Sequence, residues 1–202
     1  MDALLKLDLQ TVVVATSDEY TDDVLADTLA FEGIPVYRGP KEDIAARALQ
    51  CCEAFGLDYF IRVNGDSPFV NLPLLREGIS LIDSDIDIVT NLAPRSYPYG
   101  MSNEIVKVDR FADLYQHFTE EEKIHITSYY YKNLKDITFK PCTVVSPEQS
   151  HVRLTIDTPE DYATIQYYLC RSRLTEFNDI AVDDLIQDYK HILDDKFIFN
   201  KA

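Results

Sequence analysis

The chain has 202 residues, of which 46% are apolar, and 35 acidic side chains against 19 basic ones give a net charge of −16. That apolar share excludes disordered, collagen-like and mucin-like classes, and no run approaches the roughly 20 apolar residues that span a bilayer. So acidic a surface repels phosphate backbones and anionic membranes, which argues against both as partners, and a small anionic ligand needs a metal or a local basic cluster to offset the charge. The N-terminus, MDALLKLDLQ, lacks the pattern of a signal peptide, and Cys51, Cys52, Cys142 and Cys170 lack metal-like spacing. The expectation is one soluble, cytoplasmic domain with reduced core thiols.

TVVVAT (Thr11 to Thr16) is β-branched and continuously apolar, as in a strand covered on both faces of a parallel sheet. Thr21 as cap, Asp22 and Asp23 in the first turn, an apolar face with Val24, Leu25 and Leu29, and Gly33 as stop predict a helix. IPVYR predicts a short strand. Pro40 then opens a second helix that turns Ile44, Ala48, Cys51, Cys52 and Phe55 inward and ends at Gly56. YFIRV (Tyr59 to Val63) is a third strand, and a helix from Pro73 to Ile82 and a strand from Ile86 to Thr90 follow. This alternation predicts an α/β fold with a mostly parallel twisted sheet and helices on both faces. The turn-rich NLAPRSYPYG breaks the rhythm and predicts a lid or substrate loop before a strand at 104–108. Two helices come next, the second capped by Thr119 with Glu122 and running through KIHITSYYYKN. Strands at 137–145 and 151–156, a helix from Thr158 to about Cys170 and an acidic helix at about 179–195 complete the chain.

Ligands of open α/β sheets bind outside the carboxyl ends of the strands, so polar residues directly after apolar runs are the site candidates. YFIRVNGDSP puts Asp66 in that position, with Gly65 permitting a tight backbone, and VRLTIDTPED does the same for Asp157. Magnesium takes one or two protein carboxylates plus substrate phosphates, so two aspartates from distant segments suffice for a nucleotide-metal site. The competing reading makes both ordinary turn or cap residues, Asp157 especially, because TPED also starts a helix well.

VVVATS, PVYRGPKEDIAAR, RVNGDSPFV, RSYPYG, EKIHITSYYYKN and SHVRLTIDTPEDY stand in the order found in spore coat polysaccharide cytidylyltransferases, and over about Thr11 to Tyr168 the chain resembles that family. Its members are relatives of the enzymes that make CMP-activated sialic acid and CMP-Kdo. The resemblance implies a Rossmann-like nucleotidyltransferase fold, transfer of CMP from CTP to a sugar with release of pyrophosphate, and Mg²⁺ or Mn²⁺ on Asp66 and Asp157. It places Arg38, Arg47, Arg62 and Asn64 on the nucleotide side. Asn91, Tyr97, Gly100 and Glu104 fall where relatives line the sugar pocket, with His125 and Thr127 nearby. Arg47 reads equally as a surface helix residue, His125 as a helix-face histidine, and Phe111, Leu114, Tyr115 and Phe118 as core. ITSYYY either serves a homodimer, which the resemblance implies, or packs in the core.

Family members begin with a strand and a phosphate loop reading about RxGSxRLPGK, and the resemblance starts inside the helix that follows. The first strand and phosphate loop are therefore expected to be missing, CTP binding weak, and the space between TVVVAT and YFIRV open, closed or filled by another segment, with those two strands the most buried. Two rivals remain. One is a non-catalytic partner subunit or sugar-binding module with the same fold. The other is a nucleotide-sugar glycosyltransferase, whose DxD pattern is met at 83–85 and 85–87, although there it precedes a strand instead of ending one.

Overall fold

A computed structural model of the chain describes residues 1, 3–143, 147–174 and 177–199. Two compact units compose it: Met1–Ile61, Asp83–Ile88 and Ile105–Lys140 form the first, and Arg62–Ile82, Val89–Glu104 and Pro141–Ala202 the second. Among the described residues no helix is long and apolar enough to cross a membrane.

In the first unit β1 (Val14–Ser17) pairs in parallel with β2 (Val36–Gly39), from Val14 opposite Val36 to Ser17 opposite Gly39. Between them α1 (Asp23–Phe31) is capped at Asp22, and the Asp22 carboxylate accepts from Thr16 Oγ1, Ser17 N and Ser17 Oγ at 2.5 to 3.0 Å. The expected inward face of Val24, Leu25 and Leu29 is corrected: α1 buries only Ala26, and Val24 and Phe31 are 78% and 93% exposed. Helix α2 (Ile44–Phe55) starts behind Asp43, whose Oδ1 accepts from Ala46 N at 2.7 Å, so Pro40 stands outside it; Gly56 ends it at φ +62. Strand β3 (Tyr59–Ile61) lies antiparallel to β5 (Glu104–Lys107), Tyr59 facing Lys107.

Helix α4 (Val108–Tyr115) follows, with α5 (Glu120–Ile124) and α6 (Ser128–Lys132) after it. The Thr119 and Glu122 capping box forms as predicted, but His125 leaves the helical region at φ −103, ψ 69 and splits the expected single helix. Phe111, Leu114, Phe118, Ile126 and Tyr130 form the core of this unit with Ala45 and Val106, so ITSYYY packs inward. Phe111 contacts the rings of Phe60, Phe118 and Tyr130.

The second sheet orders β3, β5, β4 (Ile88–Thr90) and β6 (Phe139–Pro141). Bonds from Lys107 N to Asp87 O and from Asn91 N to Asn103 O set β5 against β4, whereas Asp87 N to Thr138 O and Cys142 N to Thr90 O set β4 and β6 parallel. The sheet is thus mixed, with β5 reversed. The most buried strands are β4 and β5, not the TVVVAT and YFIRV strands, because β1 sits in a two-stranded sheet and β3 is an edge. No described strand joins the β1–β2 pair to the other sheet, and before β1 the chain makes a single 3-10 turn, Leu4–Lys6.

Within the second unit α3 (Leu72–Ser80) is capped by Asn71, and α7 (Pro159–Arg171) by Thr158 with Asp161. Helix α8 (Val182–Phe199) is the acidic helix. Phe69, Tyr168, Phe177 and Tyr189 make edge-to-face ring contacts in this unit, in which Leu185 and Ile186 are also buried. The expected strand at 151–156 does not form: His151 ends a 3-10 helix, and the residues after it carry one bridge, Tyr99 to Arg153, because their partner changes from Tyr99 to Asp66 along the segment. Residues 144 and 145 of the other expected strand lie outside the described residues. Three cysteines are buried, but Cys170 is exposed on α7 and is no core thiol.

Candidate functional site

Arg62, Asn64, Ser67, Asn71, Gly100 and Glu104 line one cleft in the second unit. Beside it Asp66 occupies a turn closed by Ser67 N donating to Asn64 O at 3.2 Å, and Asp66 Oδ1 accepts from Ser67 Oγ at 2.9 Å. Gly65 needs no special conformation there: its φ is not positive, and a Cβ would meet nothing within 4 Å. Ile156 N donates to Asp66 O at 2.9 Å, which sets the segment carrying Asp157 alongside Asp66 although 91 positions separate them in the chain.

Asp157 is not the cap of α7. Asp161 Oδ2 accepts from Asp157 N, Thr158 N and Thr158 Oγ1, and the Thr158 hydroxyl is the main reason the Asp161 carboxyl lies below its ordinary range. With capping done by Thr158 and Asp161, the Asp157 carboxylate is directed elsewhere: Oδ2 accepts from Thr155 Oγ1 at 2.7 Å and from Arg153 Nη2 at 2.6 Å.

Glu104 is 2% exposed and pairs through Oε2 with Arg62 Nη1 at 3.2 Å, while Arg62 N donates to Glu104 O at 3.0 Å. A buried carboxylate beside a guanidinium fixes the direction of that guanidinium, since leaving either alone is costly. Gly100 has φ +96, and a Cβ there would stand 2.9 Å from Leu154 O. Two of the expected sugar-pocket residues are buried. Asn91 donates from Nδ2 to Met101 O and accepts from Asn103 N, so its amide ties the loop together. Tyr97 is 5% exposed, and burial pushes its phenol up to about 12.

Arg38, Arg47, His125 and Thr127 belong to the first unit. Arg38 donates to Ser17 O, Glu19 O and the Asp23 carboxylate, so its fork braces the turn between β1 and α1. Arg47 Nη1 donates to Pro40 O at 3.1 Å. His125 is exposed just after α5 and Thr127 is buried. Sequence reasoning passed over Arg95, Tyr99 and Arg153, which lie in the quoted segments RSYPYG and SHVRLTIDTPEDY; both guanidinium groups stand over the Tyr99 ring, at 4.3 and 5.6 Å from its centroid. Two arginines near one exposed aromatic were the available signal.

No protein-family profile matches the chain. It is 30% identical over 192 residues to the spore coat polysaccharide biosynthesis protein SpsF of Bacillus subtilis, an alignment spanning 91% of this chain and 76% of that protein. The chain belongs to the SpsF family. A second relative, an uncharacterized protein of Methanocaldococcus jannaschii, is 26% identical over 159 residues, which is 76% of this chain and 63% of that protein. A cytidylyltransferase structure from Leptospira borgpetersenii serovar Hardjo-bovis matches this SpsF-family chain with a TM-score of 0.83 and 27% identity, covering 94% of this chain and 80% of that one. The fold is thus the Rossmann-like α/β arrangement expected from the sequence.

Proposed function

We propose that this SpsF-family chain is a cytidylyltransferase of polysaccharide biosynthesis that transfers CMP from CTP to a sugar and releases pyrophosphate. The carrying observation is the bond from Ile156 N to Asp66 O, which aligns the two aspartate segments, in a fold like that of the Leptospira borgpetersenii cytidylyltransferase. Among the described residues no three histidine, cysteine or carboxylate side chains gather as a metal site; the donors in this reading are the two carboxylates of Asp66 and Asp157. That set fits Mg²⁺ or Mn²⁺, which completes its shell with water and substrate phosphates. Asp66 and Asp157 would hold the ion, which when bound neutralises charge developing on the α-phosphate. Ser67 orients the Asp66 carboxylate, and Thr155 and Arg153 orient that of Asp157. Arg62, aimed by buried Glu104, presents a cation at the cleft that also contains Asn64. The sugar hydroxyl would attack the α-phosphorus in line as the bond to pyrophosphate breaks, and positioning by these residues supplies most of the rate.

Pyrophosphate release from CTP and Mg²⁺ with a panel of amino and acidic sugars tests the reading, paired with calorimetric titration of CTP. Release that falls at least about a hundredfold in Asp66→Ala and Asp157→Ala, the scale of losing a charge-stabilising group, supports it. Release untouched by both substitutions, or sugar binding with no release from the parent chain, would replace it with the non-catalytic sugar-binding alternative.

A further inference from the structure

The second unit of this acidic chain concentrates positive charge on one ring. Arg95 stands 4.3 Å and Arg153 5.6 Å from the Tyr99 centroid. The backbone builds this cluster: Leu92 and Arg95 bridge across a tight turn, Tyr99 bridges Arg153, and Tyr99 N to Val152 O and Leu154 N to Tyr99 O close that bridge at 2.8 Å each. Gly100 permits the close approach to Leu154. Arg153 is also the partner of Asp157.

Arg95 differs. Its Nη1 is buried and has no hydrogen-bond partner among the described residues. A guanidinium offers five donors and no acceptor, and a buried donor left unmade destabilises the fold unless something satisfies it. With 35 acidic residues in the chain, carboxylates are abundant, yet no described one takes this donor. Tyr99 stays 43% exposed, so the ring that carries both arginines is reachable from solvent. A planar guanidinium can make bidentate contact with an oxyanion, and two of them held over one ring bring that capacity to one place.

The geometry points to Arg95, together with Arg153 on the same Tyr99 ring, as a recognition site for a phosphate or carboxylate group beside Asp157. The inference deepens the proposed function and rests on it for the source of that oxyanion, either the polyphosphate of the nucleotide or an acidic group on the sugar. It also supplies the local basic cluster that an anionic ligand requires in so acidic a protein.

Isothermal titration of the whole chain with inorganic pyrophosphate and with glucuronate, the two probes standing for the two sources, tests it. The parent is expected to bind at least one probe, and Arg95→Gln and Tyr99→Leu to weaken that binding by about ten- to a hundredfold, as for one or two charge-assisted hydrogen bonds. Arg171→Gln removes a guanidinium that stands over Tyr167 at 3.8 Å and should change affinity by less than about twofold. Loss confined to pyrophosphate assigns the nucleotide, and loss confined to glucuronate assigns the sugar. A parent that binds neither probe, or equal loss in Arg95→Gln and Arg171→Gln, overturns the site. Thermal melts confirm folding, and should Arg95→Gln lack a cooperative transition, Arg153→Gln at its exposed position carries the same readout. The two readings fail separately. Aspartate-dependent release from CTP without probe binding leaves the transferase and removes the clamp, whereas Arg95-dependent probe binding without any release does the reverse.

Discussion

Replacing Gly100 by alanine separates two costs that the structure assigns to one residue. At φ +96 an L side chain is strained, by about 1 to 3 kcal/mol. The new Cβ would also lie 2.9 Å from Leu154 O and 3.0 Å from Leu154 C, backbone atoms held by the Leu154 N to Tyr99 O bond, and overpacking of that kind adds about 1 to 3 kcal/mol. Gly100→Ala should therefore destabilise by roughly 2 to 6 kcal/mol. Two controls divide the sum. Gly33→Ala, at φ +75 with open space around it, should show the strain alone. Gly65→Ala, with neither strain nor neighbours, should be neutral or stabilise by up to about 1 kcal/mol through the unfolded chain. Urea titrations followed by far-UV circular dichroism give the midpoints, and an unchanged slope shows that the denatured state is the same. A cost for Gly100→Ala under about 1 kcal/mol, or no larger than that of Gly65→Ala, would show that the Tyr99 to Leu154 approach is not fixed, and the Arg95 and Arg153 cluster would lose its scaffold.

The Asp22 carboxyl is lowered to about 2, first by the Thr16 hydroxyl and then by Ser17, so it stabilises the fold above the unfolded value of 3.8 and loses that contribution as pH falls toward about 2. Asp22→Asn should accordingly melt below the parent at neutral pH, with the gap closing through that acid range; a gap independent of pH would refute the assignment. Thiol titration should find one reactive cysteine in the native chain, exposed Cys170, and none in native Cys170→Ser, because burial hides the other three and pushes Cys52 up to about 12 and Cys142 to about 11. Rapid native labelling of two or more cysteines would contradict the packing of α2 and the Cys142 segment.

Periodicity and capping chemistry made the alternating elements and the Thr119–Glu122 capping box legible, since these signals are local and lie within a few residues of each other. Asp66 and Asp157 were singled out on the same local ground, each following an apolar run. Other features were settled by partners distant in sequence. Leu25 reads as inward by its spacing, yet α1 packs through Ala26 and leaves Leu25 exposed. Strand burial followed position in the sheet, which set β4 and β5 deepest and left β1 and β3 at edges. Nothing in the polar, turn-rich loop marked Asn91 and Tyr97 as buried, or the Asn91 amide as bonded to Met101 O and Asn103 N. Nor could spacing show that Ile156 bonds Asp66, or that Arg95 and Arg153 meet on Tyr99. Each depends on contacts between segments far apart in the chain, and chain separation carries no information about which backbone groups will find one another once the core has packed.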